Sequence, residues 1–146
     1  MPQAGQVAPS FTAKTLDGRD VAFPSAFKDR KVLLVFWATW CGPCRREIPH
    51  LREAQTKYAA RGLEIVSVSI DTGPAASVKD FVEREKMSWN VLLAGGAEAA
   101  RLYGVTAIPA MLLVDGTSGR VLADSAEFDR QSLMGTLARH LGTTKG

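Results

Sequence analysis

The chain has 146 residues and a mass of 15.7 kDa, with 46% hydrophobic and 23% charged residues. That suits one soluble globular domain and excludes disorder, collagen and coiled coil. Eighteen Lys and Arg against fifteen Asp and Glu leave a formal charge of +3, which does not by itself point to nucleic acid or an anionic membrane. There are only two cysteines, Cys41 and Cys44, so a disulfide scaffold and a complete four-Cys zinc site are both excluded.

The longest apolar run, Val32 to Ala38, is strand-length, far below the ~18 residues a membrane span needs. Residues Met1 to Gln6 hold no basic segment followed by an apolar one, so no signal peptide is read. Two settings stay open: a cytoplasmic protein, or an extracytoplasmic one whose leader Met1 has replaced. The tail from Gly142 to Gly146 is small and polar and is expected to fray.

In chain order, Phe11 to Thr15 and Arg19 to Phe23 flank Leu16-Asp17-Gly18, a hairpin signal. Pro24 and Ser25 open a short helical turn. Lys31 to Trp37 is continuous and apolar, which suits a central strand buried on both faces. A helix then runs to about Ala60, with Ile48, Leu51, Gln55 and Tyr58 on one face and Gly62 as its stop. Pro49 lies inside it and should bend it. Leu63 to Ile70 is the next strand, so strand, helix and strand form a parallel βαβ unit.

Asp71 to Pro74 reads as a loop. Ser77 to about Lys86 reads as a helix, Trp89 to Leu93 as a short strand and Ala97 to Tyr103 as a short helix. Met111 to Val114 and Arg120 to Ala123 flank an Asp-Gly turn and should pair as a hairpin. One last helix is expected over Asp129 to His140. The fold class is α/β: a mixed central sheet with helices on both faces, an N-terminal β-hairpin and a helix–strand insert over about 72–93. We expect a single domain over 1–146 with an ordered core over about 5–141.

Cys41-Gly42-Pro43-Cys44 sits where the buried strand gives way to the helix. Two cysteines at i and i+3 on a first helical turn lie within disulfide reach. Cys41 falls at the helix N-terminus, where unpaired N–H groups and the dipole favour a thiolate nucleophile. Cys44, one turn in and expected farther from solvent, is the natural resolving thiol. Gly42 and Pro43 fix the turn between them. Half of a zinc or iron–sulfur site is the competing reading, but no second Cys pair exists and His50 or His140 would have to arrive by chance. A purely structural disulfide closing so short a loop would stabilise little. A redox dithiol is the reading this context favours.

Trp40 to Cys44 strongly resembles the active site of the thioredoxin superfamily. The resemblance extends to Pro49, which matches the proline of the family's active-site helix. It also covers Ile108-Pro109, which matches an Ile-Pro segment whose proline is cis and faces the dithiol. It implies that the Ile108 main chain pairs with an incoming substrate strand. The family's buried Asp, six residues before the first cysteine, is Val35 here. Cys44 to Leu51, the opening Gly5 to Thr12 and the insert look like TlpA-like reductases, which include the ResA and CcmG (DsbE) types. Glu47 then occupies their acid position and would exchange the Cys44 proton. The alternative for Glu47 is a dipole partner, or an exposed ion pair with Arg45 or Arg46. The Gly-Pro pair departs from the Glu-Pro pair of many ResA-type members.

The resemblance implies a thiol–disulfide oxidoreductase that reduces partner-protein disulfides, with Cys41, Cys44 and Glu47 catalytic. Trp40, Gly42, Pro43, Ile108 and Pro109 would be substrate-binding. It implies a monomer with no metal, no nucleic acid and no cofactor beyond the Cys41–Cys44 disulfide. A disulfide-bearing protein would be the substrate and a membrane or soluble thiol the electron donor. The setting would be cytochrome c maturation or redox homeostasis in the periplasm. Trp37 is expected in the core, as are Trp89 and Tyr103. Arg45 and Arg46 either favour acidic partners or merely solvate the helix. A peroxiredoxin-like thiol peroxidase and a non-catalytic binding module for apo-cytochrome, metal or peptide are the rival readings. The peroxidase rival needs Thr-x-x-Cys, and here Thr39 stands two residues before Cys41.

Overall fold

Strand β3 (Lys31–Trp37) is the middle of the sheet, and every residue after Lys31 is buried. The computed structural model describes residues 1–142, so the tail expectation beyond Gly142 lies outside the described residues. β3 pairs in parallel with β4 (Leu63–Ser69) and antiparallel with β6 (Ala110–Asp115). β5 (Asn90–Leu92) joins β4 and β7 (Val121–Ala123) joins β6, giving the order β5-β4-β3-β6-β7. Both faces of β3 are covered, which is why its sequence is unbroken by polar residues.

Leu33, Val35 and Trp37 face one layer, formed by α1 (Gly42–Tyr58), α2 (Ala75–Arg84) and a C-terminal helix. Val32, Leu34 and Phe36 face the other, formed by α3 (Gly96–Leu102) and the N-terminal hairpin. That hairpin, β1 (Phe11–Lys14) and β2 (Asp20–Phe23), is a separate two-stranded sheet. Its far end bonds the β5 side: the Lys14 and Leu93 backbone N–H groups donate to the Ala94 and Lys14 carbonyls, at 2.8 Å each. The segment before it bonds the β7 edge, where Val121 N–H donates to the Gln6 carbonyl at 2.8 Å. One N-terminal segment thus closes both open edges of the sheet.

The hairpin is pinned beneath the sheet by aromatics. Phe11 stacks on Phe23 with centroids 5.1 Å apart, and Phe36 tilts against Tyr103 at 5.3 Å. Tyr103 is buried, as expected, and its hydroxyl donates to the Pro9 carbonyl at 2.6 Å. Burial holds its phenol well above the usual tyrosine range. The Phe23–Pro24 peptide bond is cis, which the sequence reading did not foresee.

One expectation fails. The last helix is two: α4 (Ser125–Arg130) and α5 (Leu133–Leu141). Gln131 and Ser132 are extended, and the Ser132 hydroxyl accepts from Gly135 N–H at 3.0 Å as the cap of α5. A serine that can cap competes with continuing the helix. Glu127 joins the two pieces: its buried carboxylate meets His140 Nε2 at 2.9 Å and Arg139 at 3.7 Å.

Candidate active site

The site lies at the carboxyl ends of β3 and β4, the end of an α/β sheet where crevices form. Between Trp37 and the helix the chain runs over Ala38 to Cys41. This short loop is tied down from β4. The Asp71 carboxylate accepts from Thr39 N–H at 3.0 Å, from the Thr39 hydroxyl at 2.6 Å and from the Ser69 hydroxyl at 2.5 Å. Asp71 N–H donates back to Ser69 Oγ at 2.9 Å. The Thr39–Asp71 contact joins residues 32 positions apart, so no local spacing points to this clamp.

Cys41 is the N-cap of α1, with an extended backbone. Cys41 and Cys44 form a disulfide with Cα atoms 5.2 Å apart. Cys44 N–H donates to Cys41 Sγ at 3.2 Å, so the sulfur stands where a capping oxygen normally does. That N–H and the helix dipole stabilise negative charge on Cys41 when the disulfide opens. The two residues are nearly equally covered, at 5% and 3% exposure. Cys44 is the more covered of the two, by a small margin, and the cap position distinguishes Cys41 more sharply than depth does.

Across the site the Ile108–Pro109 peptide bond is cis, and the Ile108 carbonyl oxygen lies 3.7 Å from Cys41 Sγ. Trp40 is 68% exposed, a free apolar face beside the disulfide, and Gly42 and Pro43 are exposed next to it. Ile108 and Pro109 are half-buried. Trp37 is core, packed against Phe81 with centroids 5.7 Å apart. Trp89 is buried and donates through Nε1 to Ser67 Oγ at 3.2 Å.

Glu47 points from α1 toward Pro109. Its partner is His50, with Nδ1 at 3.2 Å from the carboxylate, rather than Arg45 or Arg46. Glu47 and Pro109 also line a small cavity of about 10 Å3 beside Cys44, with Val35, Trp37 and Ser67. Val35 stands where a thioredoxin would carry its buried acid, so among the residues around this cavity Glu47 is the carboxylate. The buried Trp37 indole N–H meets no acceptor among the described residues. His50 and His140 are each engaged by a glutamate on different elements. Among the described residues no group of three His, Cys, Asp or Glu is placed to hold a metal ion.

A thioredoxin-type sheet with a dithiol capping its active-site helix, opposite a cis proline, defines a class: dithiol proteins of thioredoxin fold. The profile of the AhpC/TSA family matches residues 4–121, and the chain belongs to that family. Relatives include the thiol-disulfide oxidoreductases ResA of Bacillus cereus and Bacillus anthracis. The first is 34% identical over 84% of this chain and 69% of its own length; the second is 32% identical over 94% and 78%. Among solved structures, the thioredoxin domain of a thiol-disulfide oxidoreductase from Bacteroides vulgatus superposes with a TM-score of 0.84. It is 28% identical, over 97% of this chain and 99% of that one. A thiol:disulfide interchange protein from Bacteroides sp. gives 0.80 at 29% identity, over 99% and 93%. The TlpA-like, ResA-type resemblance stands on these relatives, and the chain is a thiol–disulfide oxidoreductase with its Cys-x-x-Cys pair in place.

Proposed function

We propose that the chain works as a reductase of partner-protein disulfides. The observation that carries this is the Cys44 N–H directed at Cys41 Sγ on the helix cap. The Cys41 thiolate attacks one sulfur of the partner disulfide, and the other leaves as a thiolate, giving a mixed disulfide. Cys44, its proton passed to Glu47, attacks Cys41 Sγ and expels the second partner sulfur. The partner gains two electrons and the chain ends as the Cys41–Cys44 disulfide. A thiol donor, membrane-borne or soluble, then restores the dithiol. The Gly-Pro pair, which resembles the reducing end of the superfamily, supports this direction.

In this reading Trp40, Gly42 and Pro43 form the apolar floor under the substrate. Ile108 offers its main chain to a substrate strand beside Pro109. The chain acts as a monomer, in an extracytoplasmic setting such as cytochrome c maturation. No helix among the described residues is long and apolar enough to cross a membrane. The direct test is turnover of insulin disulfides with dithiothreitol as donor, beside consumption of hydrogen peroxide. Insulin reduction with negligible peroxide consumption is expected. The reverse result would establish the peroxidase reading.

The Glu47 role has its own test. Glu47→Gln keeps the shape and removes the base. We expect the resolving step to slow by roughly 10- to 100-fold near neutral pH, with an altered pH–rate profile. An unchanged profile would leave Glu47 only its contact with His50.

A further inference from the structure

The rim of the dithiol is electrically divided, and α1 is the dividing line. On one flank, toward α2, Arg45 projects from the turn after Cys44 with its guanidinium over the Phe81 ring, 5.6 Å from the centroid. Phe81 is itself buried and packed on Trp37, so this cation rests on a rigid platform. Arg46 folds back over the cysteine loop, its Nη1 3.6 Å from where a Gly42 Cβ would stand. Both arginines are exposed, and neither has a carboxylate partner among the described residues. The first turn of α1 carries no acidic residue. Asp71, which leads toward α2, has its carboxylate turned inward onto Thr39 and Ser69. On the opposite flank Glu47 and Asp129 face a common groove beside Pro109.

We infer that the arginine flank selects the partner: the chain prefers protein disulfides with an Asp or Glu beside the attacked cysteine. This rests on the dithiol reading above. Two cations with no carboxylate partner among the described residues, four and five positions past the attacking cysteine on α1, attract a carboxylate as the partner approaches. A flexible surface arginine would contribute little. Arg45 differs in being held in place before the partner arrives, which lowers the ordering cost of the contact.

The test uses three synthetic peptides with one internal disulfide, identical except for Asp, Ser or Lys on both sides of the attacked cysteine. Single-turnover rates of the reduced full-length protein are each divided by the rate of dithiothreitol with the same peptide. That division removes differences in intrinsic disulfide reactivity. The Asp:Lys rate ratio is expected at roughly 3–10 in low salt, falling toward 1 near 0.5 M salt. R45E/R46E should invert it, and F81L, which keeps both charges but removes the aromatic face, should reduce it. If the arginines merely stabilise the Cys41 thiolate, the double variant slows all three peptides by one factor and the ratio stays put. A wild-type ratio near 1, or one unmoved by R45E/R46E, overturns the inference. Failure to reduce any of the three peptides overturns the reductase reading itself.

Discussion

Cys41→Ser is expected to lower disulfide reduction by roughly three orders of magnitude or more, because the exchange has no other nucleophile at the cap. The fold should survive the change. Serine is a preferred helix cap, and its hydroxyl can accept the Cys44 N–H that the sulfur accepts now. Far-UV circular dichroism and a urea titration separate lost chemistry from lost structure. Cys44→Ser should behave differently. The first attack still proceeds, but nothing resolves the product, so partners remain attached through Cys41. Non-reducing gels and mass spectrometry of the captured species would identify the partner class and the compartment it occupies. If Cys41→Ser retained substantial reduction, the assignment of nucleophile would be wrong. If Cys44→Ser captured nothing while Cys41 stayed reactive toward iodoacetamide, the two-step exchange would be wrong.

Gly116→Ala should destabilise the fold by roughly 2–4 kcal/mol, the largest stability effect we expect from a single added methyl. A Cβ at this position would lie 2.0 Å from the Phe27 carbonyl oxygen and 2.9 Å from that of Arg30. Those atoms are backbone and cannot rotate away. The segment is held by Gly116 N–H donating to the Arg30 carbonyl at 2.8 Å and Asp29 N–H donating to Thr117 Oγ1 at 2.8 Å. Gly73→Ala is the matched control. It lies in an exposed loop with nothing within 4 Å of its added carbon, so it should stay within about 0.5 kcal/mol of wild type. Urea midpoints at constant slope measure both. Equal stability of the two variants would mean that the turn after β6 shifts freely.

Those two substitutions mark the range of what was readable beforehand. The dithiol was fully legible because it is a local object: four residues, one helical turn, one preceding strand. The strand Lys31–Trp37 was legible to the residue, since a segment covered on both faces must be apolar throughout. Glu47 was legible as a candidate through the family resemblance, but its expected partners were Arg45 and Arg46, two and one positions before it, which a helix turns to other faces. His50, three positions on along α1, is the neighbour helical spacing provides, and only Pro109 needed the fold. Gly116 was visible only as part of a turn signal. Its intolerance comes from Phe27 and Arg30, which meet it solely because β3 and β6 are neighbours. The break at Gln131 and Ser132 was missed because no Gly or Pro marks it, and the cap that starts α5 there is one side-chain hydrogen bond.

The sequence alone determined the chemistry. A cysteine at a helix start is activated by backbone groups that every helix has, so no distant residue is needed to predict it. Tertiary structure decided how that chemistry is held and aimed. Asp71 fixes the loop before Cys41 from just past the neighbouring strand β4, the Ile108 carbonyl meets Cys41 from the segment before β6, and Phe81 seats Arg45 from another helix. Each of these is a contact between residues far apart in sequence, set by strand order and helix packing, and no spacing along the chain encodes it.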